Sequence, residues 1–317
     1  MLDKAQSLTE FLLEEERNFP SATGSYTHLL TQIAFAGKII ASHIKQAGLV
    51  DILGMTGEKN TYEEEVLKMD KFSNDLLIET LSVSGQVASI ASEEMPEFHI
   101  PKENIGEYVV FLDPLDGSSN TDIDVTVGTI FSIYHKRDCD PLPKGGSIVA
   151  AGYILYGTSV MFVYSCGNGV NGFTLDPSVG DFLLSHPNIQ IPEKGNIYSV
   201  NEASYPLWND KLQAYIKHIK ENEAATARYV GSMVADVHRT LLKGGIFLYP
   251  ADETHPEGKL RLLFEVNPMS YLVAQAGGAA LSENEDPLDI MPHNLHQRVP
   301  IALGSKTNME EYKKLAL

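Results

Sequence analysis

Two aspartates three residues apart, Asp113 and Asp116, follow a run of large apolar residues from Tyr108 to Leu112 (YVVFLDPLD). An aromatic and β-branched run that stops at an acid, a proline and a glycine reads as a buried strand emptying into a loop. Pro114 stiffens the turn, so the two carboxylates can converge beside the Leu115 carbonyl, an oxygen set suited to a hard divalent cation. Gly117, Ser118 and Ser119 then offer successive amide N–H groups and two hydroxyls, and the glycine lets the backbone close on an anion. DPLDG alone also makes a plain solvent-exposed turn. A second segment, Val87 to Ser92, runs into Glu93 and Glu94 in the same way, and two strands ending in carboxylates favour one shared site.

Lys259 to Glu265 (KLRLLFE) supplies charges of both signs. Read as a strand, it places Lys259, Arg261, Leu263 and Glu265 on one face, with the cations available to a phosphate and the acid to a metal. An exposed amphipathic strand with a salt bridge is the plainer alternative. Asn267 to Gly278 reads as a helix, which makes Glu265 another strand-end carboxylate, where α/β folds build their sites. Carboxylates packed together repel one another, so the set predicts a cation requirement. A phosphate monoester dianion resists attack by water, and bound Mg²⁺ would neutralise it and activate the water. Asp122 to Thr126 spells the DxDxT pattern of phosphatases with an aspartate nucleophile, but GSSNT precedes it instead of a buried strand, and that chemistry is rejected. His293 and His296 read as a surface loop rather than a metal site.

The elements that must position these residues begin with a capping box at Ser7 to Glu10 and a short helix ending before Pro20. Tyr26 to Gln46 reads as a long amphipathic helix with Leu30, Ile33, Ala34, Phe35, Ile40 and Ile44 at helical spacing and Gly48 as its stop. Val50 to Lys68, with two glycines and an acidic run around Glu64, reads as a mobile loop. Asp70 opens a helix that ends near Gly85. Gly128 to His135 and Ile148 to Leu184 read as antiparallel strands. A boundary near His186 to Lys194 divides residues 1–188 from 189–317. Beyond it, Asn196 to Val200 is a strand delivering Asn201, Pro206 to Lys220 and Ser232 to Leu242 are helices, and Ile246 to Tyr249 is a strand. Trp208 and Met233 read as packing residues.

With 317 residues, 43% of them hydrophobic, the chain can bury a large core in one or two domains. Its 24 Lys and Arg against 42 Asp and Glu give a formal charge of −18, which repels nucleic acid and anionic membranes. No apolar run matches a membrane span or signal peptide, so a cytoplasmic protein is expected. Cys139 and Cys166 are too few for a disulfide framework.

SEE followed about twenty residues later by VVFLDPLDGSSN resembles the lithium-sensitive, magnesium-dependent sugar phosphatase superfamily, and within it most nearly class I fructose-1,6-bisphosphatase. Lys68 to Asp70 with Ser73 to Leu76, Tyr229 to Leu241, Gly244 to Pro250 and Gly258 to Met269 extend the resemblance over nearly the whole chain. It implies an αβαβα five-layer sandwich and a homotetramer that hydrolyses the 1-phosphate of fructose 1,6-bisphosphate in gluconeogenesis, with Mg²⁺ as cofactor and Mn²⁺ as a substitute. Sedoheptulose 1,7-bisphosphate is the alternative substrate, and a non-catalytic metabolite sensor the remote alternative. By resemblance, Glu93, Asp113, Asp116, Glu265 and the Leu115 carbonyl would hold metal, while Asp70 and Glu94 would activate water. Gly117, Ser118, Ser119 and Arg261 would hold the phosphate being cleaved. Asn201, Tyr229, Tyr249 and Lys259 would hold the other, with Arg228 from a neighbouring subunit; Tyr205 is favoured over Ser204 for one further contact. Thr23, Gly24, Thr27 and Tyr108 resemble an AMP site. Glu107 and His135 stand where AMP-inhibited members carry basic residues, which argues against inhibition.

Overall fold

The structure, a computed structural model, describes residues 5–17, 24–46, 49, 54–59, 65–103, 105–139, 142–222 and 224–317. Ser7 and Glu10 form the expected capping box, with the Glu10 N–H donating to Ser7 Oγ at 3.2 Å and the Ser7 N–H to Glu10 Oε2 at 2.9 Å. It starts helix α1 (Leu8–Arg17). Helix α2 (Ser25–Ile44) buries Leu29, Leu30, Ile33, Ala34, Gly37, Ile40 and Ala41. Phe35, expected in that stripe, is instead 53% exposed, because two residues beyond Ile33 is about 200° around the helix. Gly48 lies outside the described residues. The expected loop from Val50 to Lys68 contains an antiparallel hairpin of β1 (Met55–Lys59) and β2 (Glu65–Leu67), which runs directly into helix α3 (Lys68–Ser82).

Strands β3 (Val87–Ser92), β4 (Tyr108–Asp116), β5 (Val127–His135), β6 (Ala150–Tyr156), β7 (Val160–Ser165), β8 (Val170–Asp176) and β9 (Asp181–Ile189) form one sheet in chain order. Only β3 and β4 pair in parallel within it, from Val87 opposite Tyr108 to Ser92 opposite Leu112. Their carboxyl ends therefore coincide, and the Glu93 N–H donates to the Leu112 carbonyl at 2.9 Å. A second sheet takes β10 (Ile197–Ser199), β11 (Thr226–Ala227), β12 (Ile246–Tyr249), β14 (Ala279–Leu281) and β16 (Ile301–Gly304) in the order β11-β10-β12-β16-β14, while β13 (Leu260–Arg261) pairs with β15 (Arg298–Val299).

Helices α1 to α3 cover the outer face of the first sheet over a core including Leu30, Ile33, Leu77, Val110 and Phe131. Helices α5 (Met233–Lys243) and α6 (Asn267–Gln275) lie between the sheets with Ile130, Tyr153, Val237, Phe247 and Met269. Helices α4 (Asp210–Asn222) and α7 (Lys306–Ala316) cover the far face with Tyr198, Trp208, Ile216, Leu248 and Met309. Neighbours on β5 such as Ile130 and Phe131 enter different cores because strand side chains alternate. The expected αβαβα layering follows.

In the middle layer, His238 Nδ1 lies 2.8 Å from the Tyr153 hydroxyl. Burial, helped by nearby His186, pulls its pKa down from 6.5 to about 4. The unfolded chain then binds more protons between those two values, and stability present above pH 6.5 is lost as pH falls across the window, by roughly 3 kcal/mol at most. In His238→Gln this loss is absent, so the calorimetric unfolding midpoint at pH 4.5, relative to that at pH 6.5, should be higher than in the wild type; an equal change in both proteins would contradict this assignment.

Candidate active site

Asp113 and Asp116 are expected in a loop but belong to β4. Asp113 faces Ile130 and Asp116 faces Gly128 on β5, so three steps on one strand oppose two on the other. Residues three apart point to opposite faces of a regular strand, and this bulge, with Pro114 inside it, returns both carboxylates to one side. The Thr129 hydroxyl donates to the Pro114 carbonyl at 2.9 Å and fixes the bulge from β5.

Oxygens of Glu93, Asp113 and Glu265 lie within 4.8 Å of one another. Glu265 reaches them by a different route from the one expected. The strand ends at Arg261, and Leu262–Val266 form a turn of π-helix at the start of α6. Alternation therefore does not place Lys259, Arg261 and Glu265 on one face; the turn brings the Glu265 carboxylate back onto the Arg261 N–H at 2.7 Å. The Arg261 guanidinium donates to Glu93, so phosphate-binding and metal-binding candidates touch. Burial first, and then Glu93, Asp116, Glu265 and Glu94, pushes the Asp113 pKa well above the carboxylate range. Burial and Glu93 do the same to Glu265, against the opposing pull of Arg261. Three mutually repelling oxygen donors, two of them buried and Glu93 partly so, fit a divalent cation.

Asp70, third residue of α3, faces this group across Glu94. Burial and the Glu94 charge raise its pKa to about 8 although Ser118 hydrogen-bonds to it. Its Oδ1 is buried without a hydrogen-bond partner among the described residues. Asp116 is near enough to raise the pKa of Asp113 and Glu265, but its own oxygens are engaged at the start of α5. It accepts from Ser232 Oγ at 2.6 Å and from the Val234 and Met233 N–H groups at 2.8 and 3.2 Å. These bonds oppose burial, and its pKa rises only to about 6.

Gly117 links Asp116 to a 3-10 helix, Ser118–Ile123, and the first amides of a helix have no partner within it, which suits them to an anion. Its φ is +73°, and a Cβ there would stand 2.5 Å from Ser232 Cβ. Gly117→Ala should therefore cost about 2–4 kcal/mol of stability and at least about tenfold in turnover by displacing the loop. Urea titration and steady-state kinetics read the two losses; an unchanged kcat would disprove the loop's role. Asp122 and Asp124 of the DxDxT pattern are exposed on and after this helix, as its rejection requires.

A second pocket is lined by Asn201, Ser204, Tyr249 and Lys259. Asn201 caps the 3-10 helix Glu202–Leu207 by accepting from the Ala203 N–H at 3.2 Å. Three residues per turn put Ser204 on the same face as Asn201. Tyr205, favoured from the sequence, does not line this pocket; its ring lies 5.6 Å from Trp208 and its hydroxyl is on the Gln213 carbonyl. Tyr229 shares a hydrogen bond with Tyr249 at the pocket's edge. Arg228 is exposed, its guanidinium on the Ala227 carbonyl.

At the AMP-like turn, Thr27 Oγ1 donates to Glu16 Oε2 at 2.8 Å, so a carboxylate sits against the start of α2. Tyr108 stacks on His135 with ring centroids 5.2 Å apart, Gly24 holds the helix start at φ +78°, and Thr23 and Glu64 lie outside the described residues. Sequence reasoning missed Ser232, whose only signal was its place before α5. It also missed His296, which leaves the expected surface loop to bond the Met95 carbonyl at 2.9 Å and pack on Phe264, bracing the turn after Glu94. A cavity of about 900 Å³ beside α3 is lined by Ile78, Val83, Met95 and Ile100 and by none of the site residues.

Residues 6–187 match the family model described as fructose-1-6-bisphosphatase, N-terminal domain, and residues 191–316 match that of the C-terminal domain. The chain is 55% identical over 313 residues to the class 1 fructose-1,6-bisphosphatase of Sulfurihydrogenibium sp. (strain YO3AOP1), covering 97% of each. It is 53% identical over 317 residues to that of Persephonella marina, covering 98% of each. Its structure superposes on Leishmania major fructose-1,6-bisphosphatase in holo form with a TM-score of 0.92 at 38% identity, over 98% of this chain and 99% of that one. The T-state structure of that enzyme gives 0.89 at 39%. With both halves matched and half of all positions shared with full-length relatives, the chain belongs to the class 1 fructose-1,6-bisphosphatase family.

Proposed function

We propose that this chain hydrolyses the 1-phosphate of D-fructose 1,6-bisphosphate to fructose 6-phosphate and phosphate, a step of gluconeogenesis. The observation that carries the reading is the close group of Glu93, Asp113 and Glu265 carboxylates at the ends of β3 and β4, with the 3-10 helix that begins at Ser118 directly following β4. A divalent cation bound there, Mg²⁺ by family and Mn²⁺ as substitute, supplies charge neutralisation and a more acidic water. Asp70 and Glu94 would orient the attacking water and accept its proton. Gly117, Ser118, Ser119 and Arg261 hold the scissile phosphate in line, and the Leu115 carbonyl and Asp116 complete the wall. Asn201, Ser204, Tyr229, Tyr249 and Lys259 take the 6-phosphate; binding energy there orients the reacting end. Lys259 has no ion pair among the described residues, so its charge is available to a phosphate.

Arg228 would complete that pocket in a neighbouring subunit of a homotetramer, and division at 188/189 assigns the carboxylate strands to one domain and the 6-phosphate pocket to the other. No helix among the described residues is long and apolar enough to cross a membrane, and a cytoplasmic location is proposed with the pathway. Glu16 on Thr27, with Glu107 and His135 flanking Tyr108, supports insensitivity to AMP, since a carboxylate at a helix start repels phosphate. Phosphate release is measured with Mg²⁺ from fructose 1,6-bisphosphate, sedoheptulose 1,7-bisphosphate and inositol 1-phosphate, with and without AMP. Fastest release from the fructose ester, unaltered by AMP, is expected; no release from any ester would overturn the reading in favour of a sensor.

A further inference from the structure

The start of α5 carries a second carboxylate. Asp236 is fully buried and, from the first turn of the helix, reaches back to the loop before it. Its Oδ2 accepts from the Val230 N–H at 3.0 Å and the Gly231 N–H at 3.2 Å, and its Oδ1 accepts from Arg239 Nη2 at 2.6 Å. The same Arg239 nitrogen donates to the Arg228 carbonyl at 2.8 Å. The next donors along the chain, Ser232 Oγ and the Met233 and Val234 N–H groups, go to Asp116. Five consecutive residues are thus held by two buried carboxylates.

A capping acid would satisfy amides of its own helix. Asp236 satisfies amides outside it, in the loop that carries Tyr229. That loop is exposed at Arg228, Tyr229 and Gly231, and no residue of Arg228 to Gly231 enters a hydrophobic core. Its position therefore depends on hydrogen bonds: besides the Arg228 N–H on the Tyr198 carbonyl at 2.9 Å and Asn120 Nδ2 on the Val230 carbonyl at 3.4 Å, those to Asp236 are strong because the acceptor is charged. Tyr229, 39% exposed, must be held still for its hydroxyl to meet Tyr249.

We propose that Asp236, clamped by Arg239, is a positioning residue that fixes the Arg228 to Gly231 loop so that Tyr229 is preset for the second phosphate of the substrate. This rests on the reading of Asn201, Tyr229, Tyr249 and Lys259 as the site of that phosphate. The test compares fructose 1,6-bisphosphate with fructose 1-phosphate, which lacks the remote group, in the wild type, Asp236→Asn, Tyr229→Phe and the double variant. Asp236→Asn should raise KM for the bisphosphate about tenfold with kcat within about threefold, and leave kcat/KM for the monophosphate within about twofold. The double variant should be no worse than the worse single one, because both act through one hydroxyl. Equal losses on both esters, or losses that multiply, would overturn the proposal while leaving the remote-phosphate site intact. A wild type indifferent to the second phosphate would overturn that reading itself and the proposal with it. Should Asp236→Asn not fold, Arg239→Gln keeps the buried acceptor and its amide donors while releasing the Arg228 carbonyl and the ion pair to Asp236; it should show the same split with a smaller rise in KM, and an unchanged KM would overturn the clamp.

Discussion

Asp113→Asn is expected to lower kcat with Mg²⁺ by about 10³-fold, the upper range for one preorganised electrostatic group, while making the cation-free protein more resistant to heat. The opposite signs share one cause. Asp113 is 5% exposed, and Glu93, Asp116, Glu265 and Glu94 all raise its pKa. Without a cation these charges strain the folded state, and a neutral amide of the same shape removes the part that Asp113 supplies. With a cation the same charges become the binding energy, and the amide takes it away.

The pH dependence follows with a definite sign. Asp70 is raised to about 8, Asp116 to about 6, and Asp113 and Glu265 are raised as well. A carboxyl whose folded pKa exceeds its unfolded value, about 4, holds a proton in the folded state that the unfolded chain releases. The contribution of these carboxyls to the stability of the cation-free protein therefore rises as pH falls from 8 toward 5, against the smaller opposing contribution of His238. Mg²⁺ should raise the unfolding midpoint most at pH 8 and progressively less toward pH 5, where protons compete for the same oxygens. In Asp113→Asn both the pH slope without cation and the gain from Mg²⁺ should shrink. Calorimetry with chelator and with Mg²⁺ at both pH values decides it; a lower midpoint in the chelated variant, or activity within tenfold of wild type, would refute the account.

The sequence displays donors better than it displays their geometry. The Ser7 and Glu10 box, the β3 and β4 ends and the start of α5 are local patterns, and local hydrogen bonding or alternation suffices to read them. The bulge at Pro114 is not local: the extra residue exists only relative to Gly128 and Ile130 on another strand, so DPLD looks like a turn. Glu265 joins the carboxylate group by a geometry that strand alternation misreads, because a period-two pattern in KLRLLFE is also what a two-residue strand followed by a π turn leaves behind. Ser204 against Tyr205 turned on three residues per turn, a 3-10 geometry that Pro206 permits but does not announce. Asp116 read as a ligand from its spacing alone. Only the packing of α5 against the first sheet reveals its three donors, and the same packing explains why Gly117 can carry no side chain.

Asp70→Asn should lower kcat by about 10²–10⁴-fold, the range for removing a positioned proton acceptor, with KM and the affinity for Mg²⁺ changed little. Asp70 stands outside the Glu93, Asp113 and Glu265 group, so the cation keeps its donors, and it lines no part of the pocket of Asn201 and Lys259. What is lost is a carboxylate that can take a proton: Asp70 has a buried oxygen without a partner among the described residues and a pKa drawn up to about 8 by burial and Glu94. A base acts only when deprotonated, so wild-type kcat should climb as pH rises toward 8. A bound cation draws that limb to lower pH by favouring the charged form. In Asp70→Asn the limb should disappear and the residual rate should be flat. Stability should not fall, because an amide is buried in place of an acid that burial disfavours when charged. The decisive readings are kcat against pH and Mg²⁺ titration by calorimetry. A variant that keeps the wild-type limb at reduced height would assign the proton to Glu94 and leave Asp70 only the task of holding Ser118 at the mouth of the phosphate loop.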